Sequence, residues 1–223
     1  MDIKVVKNVL QANDAIAAEI RELFARKKIF VLNLMSSPGS GKTSVLERTL
    51  AAISKEIKCA VIVGDICTSA DAYRLGSSRV EVVQINTDAF GGDCHLGAHV
   101  IREALTNLEL DGVELLVVEN VGNLVCPAEF DIGEDQRAVV LSVTEGEDKP
   151  LKYPLMFRVC EVALLNKIDL LPHLDFDRDL VLANIHKVKA DLPVLELSAK
   201  TGEGFEAWLD WLRTRVAKKR DQD

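Results

Sequence analysis

Nowhere in its 223 residues does the chain carry an uninterrupted apolar run approaching the roughly 18 residues of a membrane span. Its opening, "MDIKVVKNVL", interleaves charges with aliphatics and lacks the uncharged core of a secretion signal. A soluble, cytoplasmic protein is expected. A basic excess is also missing. The net charge of −8 excludes a general nucleic-acid binder, which needs a basic face, while leaving room for one local cationic site. Cysteine is sparse and odd in number, at Cys59, Cys67, Cys94, Cys126 and Cys160, with irregular spacing that rules out a disulfide framework. Histidine is scarcer still, with four in all, yet His95 and His99 fall within "GGDCHLGAH". There is no internal repeat and no low-complexity linker.

What is present is an alternation. Short β-branched runs at 29–35, 59–65, 80–85, 113–120, 138–144, 161–167 and 193–199 are separated by amphipathic stretches. The helical patterns fall at 43–55, 95–107, 177–190 and 204–218, with a further helix near 8–26 ahead of the first strand. Strands apolar on both faces, divided by helices, predict a mostly parallel seven-stranded sheet flanked by helices. Residues 1–223 are read as one α/β domain: an N-terminal helix within 1–28 precedes the sheet, and 217–223, "AKKRDQD", reads as a mobile charged tail. Cys59 and Cys160 look like small apolar residues at strand starts, whereas Cys94 and Cys126 stand among loop formers. His173 and His186 read as surface residues.

Ligands in such sheets bind beyond the carboxyl ends of the strands. After the first run comes "SSPGSGKT", residues 36–43. Gly39, Ser40 and Gly41 allow a tight turn whose N–H groups face one anion at a helix N-terminus. Lys42 is placed to reach the β- and γ-phosphates, and Thr43, followed by Ser44, to set a hydroxyl on Mg²⁺. This makes the fold a P-loop NTPase, although Ser36 stands where the usual pattern opens with glycine. "NKID" supplies Asn166, Lys167 and Asp169. A carboxylate at 169 can accept from the two N–H groups that guanine presents and adenine lacks, while the Lys167 stem lies along the ring. "SAKTGEG" adds Ser198, Ala199 and Lys200, with a backbone amide near Ala199 for the guanine carbonyl. The expected ligands are therefore GTP and GDP. Asp65 and Glu119 end the second and fourth runs and Asp71 follows soon after, so all three are candidates, with Thr43, for the magnesium and its water. Lys42, Asp65 and Glu119 form the expected catalytic set. No arginine stands out as a built-in finger, so slow intrinsic hydrolysis is expected.

Taken in order, "SSPGSGKT", "GDICTSAD", "GGDCHLGAH", "VVENVGNLVCP", "EGEDKPLKYP", "LLNKID" and "SAKTGEG" resemble the nickel-incorporation GTPases of nickel-iron hydrogenase maturation. The resemblance spans nearly the whole chain. It implies a GTP-promoted homodimer of the metallochaperone GTPase class. Such a dimer delivers nickel to a hydrogenase large-subunit precursor, together with a small zinc-containing delivery protein. Carried over by position, its metal ligands fall on Cys94, His95 and Cys126, with His99 as an additional candidate, and Lys152 matches a lysine near the nucleotide across the dimer. Many bacterial members open with a Cys-rich or His-rich stretch and this sequence does not, so no N-terminal nickel site or nickel store is expected. Related ATPases carry a lysine where this chain has Ser37.

On chemical grounds alone, Cys94, His95 and Cys126 suit Zn²⁺ or Ni²⁺. Three donors are too few for a closed tetrahedral site, whereas two chains offer four cysteines and two to four histidines. His95 and His99 stand at i, i+4 and would share a helix face. The alternative leaves Cys94 buried, His95 capping a helix and His99 in solvent. Other functions stay open: a urease-maturation GTPase, although its Cys-Pro-His triplet is absent; a regulatory GTPase with a structural zinc; and a small-molecule kinase, which would not require "NKID".

Overall fold

The computed structural model describes residues 5–65, 80–86 and 95–222, the side chains of 5–9 and 65 excepted. Helix α1, Val5–Lys27, leads into β1, Phe30–Ser36, and the P-loop into α2, Lys42–Ile53. Strands β2, Cys59–Asp65, and β3, Glu81–Asn86, precede α3, Ala98–Leu105, and β4, Leu115–Glu119. A 3₁₀ turn at Cys126–Ala128 leads to β5, Gln136–Ser142. Two short helices follow, α4 at Lys149–Lys152 and α5 at Pro154–Val159, then β6, Val162–Asn166, and a second 3₁₀ turn at Ile168–His173. Helix α6, Arg178–Val188, β7, Val194–Glu196, and α7, Phe205–Arg220, complete the chain.

All seven strands run parallel in the order β3-β2-β4-β1-β5-β6-β7. The period of two along each strand divides the core between the sheet's faces. Phe30, Leu32 and Leu34 join Val61 and Val63 beneath α2 and α7, where Leu46, Leu50, Trp208 and Leu212 fill the layer. Val31, Ala60 and Ile62 face the other way, against Ile20 and Phe24 of α1 and Ile101 of α3. Farther along that sheet, Val139, Ala163 and Leu165 pack with Phe157, Val181 and Ile185 of α5 and α6. β1 sits where the strand order reverses, so the loop that follows it opens into a crevice between β4 and β5.

Three expectations need correction. The helix expected from residue 95 begins at Ala98, because Gly97 is extended and Asn13 Oδ1 accepts the Ala98 N–H at 2.8 Å. His95 therefore lies ahead of the helix, and its i, i+4 relation to His99 does not put the two on one helix face. The charged tail is helical through Arg220, and Lys219 is buried with its Nζ 2.6 Å from Asp135. Helices α4 and α5 were not anticipated; each carries proline in its first two positions, Pro150 and Pro154. Among the described residues no helix is long and apolar enough to cross a membrane.

Candidate nucleotide and metal site

The turn between β1 and α2 is built by backbone geometry that only glycine adopts easily. Gly41 holds φ +90°, and a Cβ there would stand 2.6 Å from the Asn166 amide nitrogen. The loop walls a cleft of about 570 Å³ whose lining runs from Ser36 to Ser44 and includes Gly64, Glu119, Val121, Gly122 and Lys167. Gly39, Ser40, Gly41, Lys42, Thr43 and Ser44 thus all face one space.

Glu119, at the carboxyl end of β4, is the acid of this cleft. Its Oε1 accepts the Thr43 hydroxyl at 2.6 Å and lies 3.6 Å from Lys42 Nζ. Thr43 and the carboxylate are hard oxygen donors, which suits Mg²⁺. Asp65 ends β2, two residues past the Val63 that pairs with Glu119; its side chain and the whole of Asp71 lie outside the described residues.

The guanine-directed segments converge on the same loop. Asn166 is buried; its Nδ2 donates to Ser40 O at 2.9 Å and its Oδ1 accepts from Ala199 N at 3.1 Å. Lys167, in a left-handed conformation with φ +64°, donates from Nζ to Gly39 O at 2.7 Å. Asp169 accepts from the buried Ser198 hydroxyl at 2.6 Å. Lys200 is exposed, and its carbonyl, with those of Ala199 and Thr201, is held by the Arg48 guanidinium from α2 at 3.1–3.3 Å. Lys152 is exposed on α4, 2.6 Å from Asp148, and does not line the cleft.

Beyond Glu119 the chain continues as "NVGNLVC" to Cys126, which is half-buried and opens the 3₁₀ turn. The His95 ring stacks on Phe130, four residues farther on, with centroids 3.8 Å apart and planes 24° from parallel. The His95 and Cys126 segments are therefore neighbours. His99 is exposed on the first turn of α3, and His173 and His186 are exposed as well. Cys94 and Cys67 lie outside the described residues. Among the described residues no three of His, Cys, Asp and Glu gather closely enough to hold a metal ion. Sulfur and imidazole donors nevertheless match the preference of Ni²⁺ and Zn²⁺.

The sequence profile of the CobW/HypB/UreG nucleotide-binding domain matches residues 30–196. The hydrogenase maturation factor HypB of Rhizobium leguminosarum bv. viciae is 50% identical over 217 residues, which cover 97% of this chain and 72% of the relative. The chain belongs to the HypB family of hydrogenase maturation factors. The hydrogenase/urease maturation factor HypB of Helicobacter pylori J99 is 39% identical across 99% of this chain and 89% of its own length. A crystal structure of Helicobacter pylori HypB in complex with nickel superposes with a TM-score of 0.87 at 37% identity, covering 95% of this chain and 98% of that one.

Several residues that organise this HypB-family site carried no motif. Arg48 clamps the 199–201 loop, and Phe130 carries the His95 ring. Asn13 of α1 bridges the two metal-directed segments, taking the Ala98 N–H and donating to Asp131 O at 2.7 Å. Arg21, a little over two helical turns farther on, grips both Asp131 oxygens at 2.6 Å. Burial pushes the Asp131 carboxyl up, but the Arg21 hydrogen bond and the Gly133 amide outweigh it and hold the group below the usual carboxylate range. The helical period of α1 signalled a packed face but not these polar contacts, because their partners lie 85 to 118 residues away.

Proposed function

We propose that the chain is a slow, magnesium-dependent GTPase that binds nickel or zinc through Cys94, His95 and Cys126 at a homodimer interface. In this reading it promotes nickel insertion into a hydrogenase large-subunit precursor, in the cytoplasm, with a small zinc-containing delivery protein. The observation that carries the reading is the continuity of one segment. β4 ends in Glu119 against Lys42 and Thr43, and the same chain reaches Cys126 seven residues later, four residues before the Phe130 that stacks on His95. Membership of the HypB family supports the hydrogenase role, and the nickel in the Helicobacter pylori structure supports the metal.

Lys42 binds the β- and γ-phosphates. Asp65 either orients the attacking water or joins Thr43, Glu119 and Asp71 as a donor for magnesium, which when bound supplies charge neutralisation across the phosphates. Asn166, Lys167, Asp169 and the 198–200 loop set guanine preference, and Lys152 approaches the nucleotide across the dimer. His99 is a further candidate ligand. Because nucleotide and metal segments share a chain, GTP and GDP states differ in metal affinity, and metal binding alters nucleotide affinity in return. A second reading, service to urease, draws on the naming of the Helicobacter pylori relative.

Nickel and zinc titration of the wild type and of Cys94→Ala, each with GDP and with a non-hydrolysable GTP analogue while dimerisation is followed, tests the proposal. The expected result is a nucleotide-dependent affinity that the substitution abolishes. Equal affinities in both nucleotide states sink the coupling, and unchanged binding by Cys94→Ala removes the site. Hydrolysis and dimerisation indifferent to metal removal would instead point to a regulatory GTPase with a structural zinc.

A further inference from the structure

We propose that Asn120 is the positioning residue through which the nucleotide cleft sets the His95 and Cys126 segments; this rests on the coupled reading above. Asn120 follows Glu119 by one peptide bond, so any displacement of that carboxylate on nucleotide exchange is delivered to it directly. Its side chain is not in the cleft but buried behind it, at 1% exposure. Oδ1 accepts from Leu96 N at 3.3 Å and from Val121 N at 2.9 Å, and Nδ2 donates to Asn33 Oδ1 at 3.2 Å. The first of these bonds grips the residue next to His95.

The second arm runs through β1. Asn33, fully buried, passes the contact on from Nδ2 to Glu134 Oε1 at 3.3 Å. Glu134 also receives Ile132 N at 2.8 Å and the Arg137 guanidinium. Arg137 in turn donates to Ala128 O and to Phe130 O, each at 3.0 Å. Those two carbonyls belong to the segment that opens at Cys126, and the Phe130 ring carries His95. The network therefore leaves Asn120 in two directions and closes on itself at the His95–Phe130 stack. Buried amides without partners are costly, so its members shift together rather than one at a time. Asn13 braces the assembly from outside by holding Ala98 N and Asp131 O. Three buried polar side chains in a sheet-and-helix core, Asn33, Asn120 and Glu134, call for a reason, and linking two sites supplies one.

The test is nickel affinity of the full chain with GDP and with a non-hydrolysable GTP analogue, for the wild type and Asn120→Ala. The wild-type ratio is expected at about 5-fold or more. Asn120→Ala, verified as folded by circular dichroism, is expected to bring it below about 2-fold while still binding both nucleotides and nickel. A folded Asn120→Ala that keeps the wild-type ratio overturns the proposal and leaves the coupled reading standing. A wild-type ratio of one defeats the coupled reading and the relay with it. Should the variant not fold, hydrogen exchange in the wild type decides. With nickel absent, protection of the Leu96 and Val121 amides changes between the two nucleotide states, and identical protection overturns the proposal.

Discussion

Burial separates the described cysteines chemically. Desolvation, with Glu114 nearby, pushes the Cys59 thiol up to about 12, and full burial raises Cys160 further still. Neither forms appreciable thiolate in neutral solution. Cys126 is half-buried at the mouth of a turn. Brief alkylation of the native protein at pH 8, read by peptide mapping, is expected to label Cys126 and to spare Cys59 and Cys160. Prior addition of nickel or zinc is expected to protect Cys126. Equal labelling of Cys59 would show that the strand is not closed over it. At this scale the sequence was legible wherever chemistry is local. Gly39 to Thr43, Asn166 and Asp169 announce themselves by spacing, and a cysteine before "AVIVGD" announces a strand. Asn33, Asn120 and Glu134 do not, because an asparagine inside an apolar run gives no sign of which distant group completes its hydrogen bonds.

Helix α7 shows the same division among elements. The stripe of Phe205, Trp208, Leu209, Leu212 and Val216 is apolar at helical spacing, and all five are buried. The run "AKKR" after it reads as solvated charge, yet Lys219 crosses to Asp135, whose Oδ2 also accepts Val31 N at 2.9 Å. The last turn of the helix is thereby latched to the start of the sheet, with basic residues where the helix dipole favours them. Lys219→Ala is expected to cost about 1–3 kcal/mol by leaving Asp135 short of its partner. For a chain of this size each kcal/mol is worth roughly 2–4 °C, so a thermal melt resolves the change. A melt within 1 °C of wild type, on the order of experimental scatter, would assign the lysine to solvent after all. Strand ends agreed with their sequence runs to within three residues. The short helices α4 and α5 escaped because four and six residues are too few to show a period.

For the whole molecule, the strand order matters more than any single element. A parallel sheet that reverses at β1 brings the ends of β1, β2, β4 and β6 to one edge, so residues from 36 to 167 meet around a single cleft. A ligand that binds there stabilises the entire fold by mass action. GDP with magnesium at 100 times its dissociation constant is expected to add about 2.7 kcal/mol, a rise of roughly 5–11 °C in melting temperature. ADP at the same concentration is expected to leave the melt unchanged, and an equal rise with ADP would refute the guanine reading. The two-faced apolar runs made this architecture legible before any coordinates, since they fit only a sheet covered on both sides. The assignment of partners across it was not, because register and crossing are properties of the folded chain.

The Glu119 carboxylate stands against both Lys42 and Thr43. On the proposed reading this gives the cleft a rule of admission. A bare nucleotide would bring its phosphate oxygens toward a resident anion and compete with it for the same lysine. A nucleotide escorted by a divalent cation brings the counter-charge that lets the carboxylate release Lys42 without being stranded. The pair thus favours phosphate and cation arriving together, and the peptide that reports their arrival is the one that begins at Asn120.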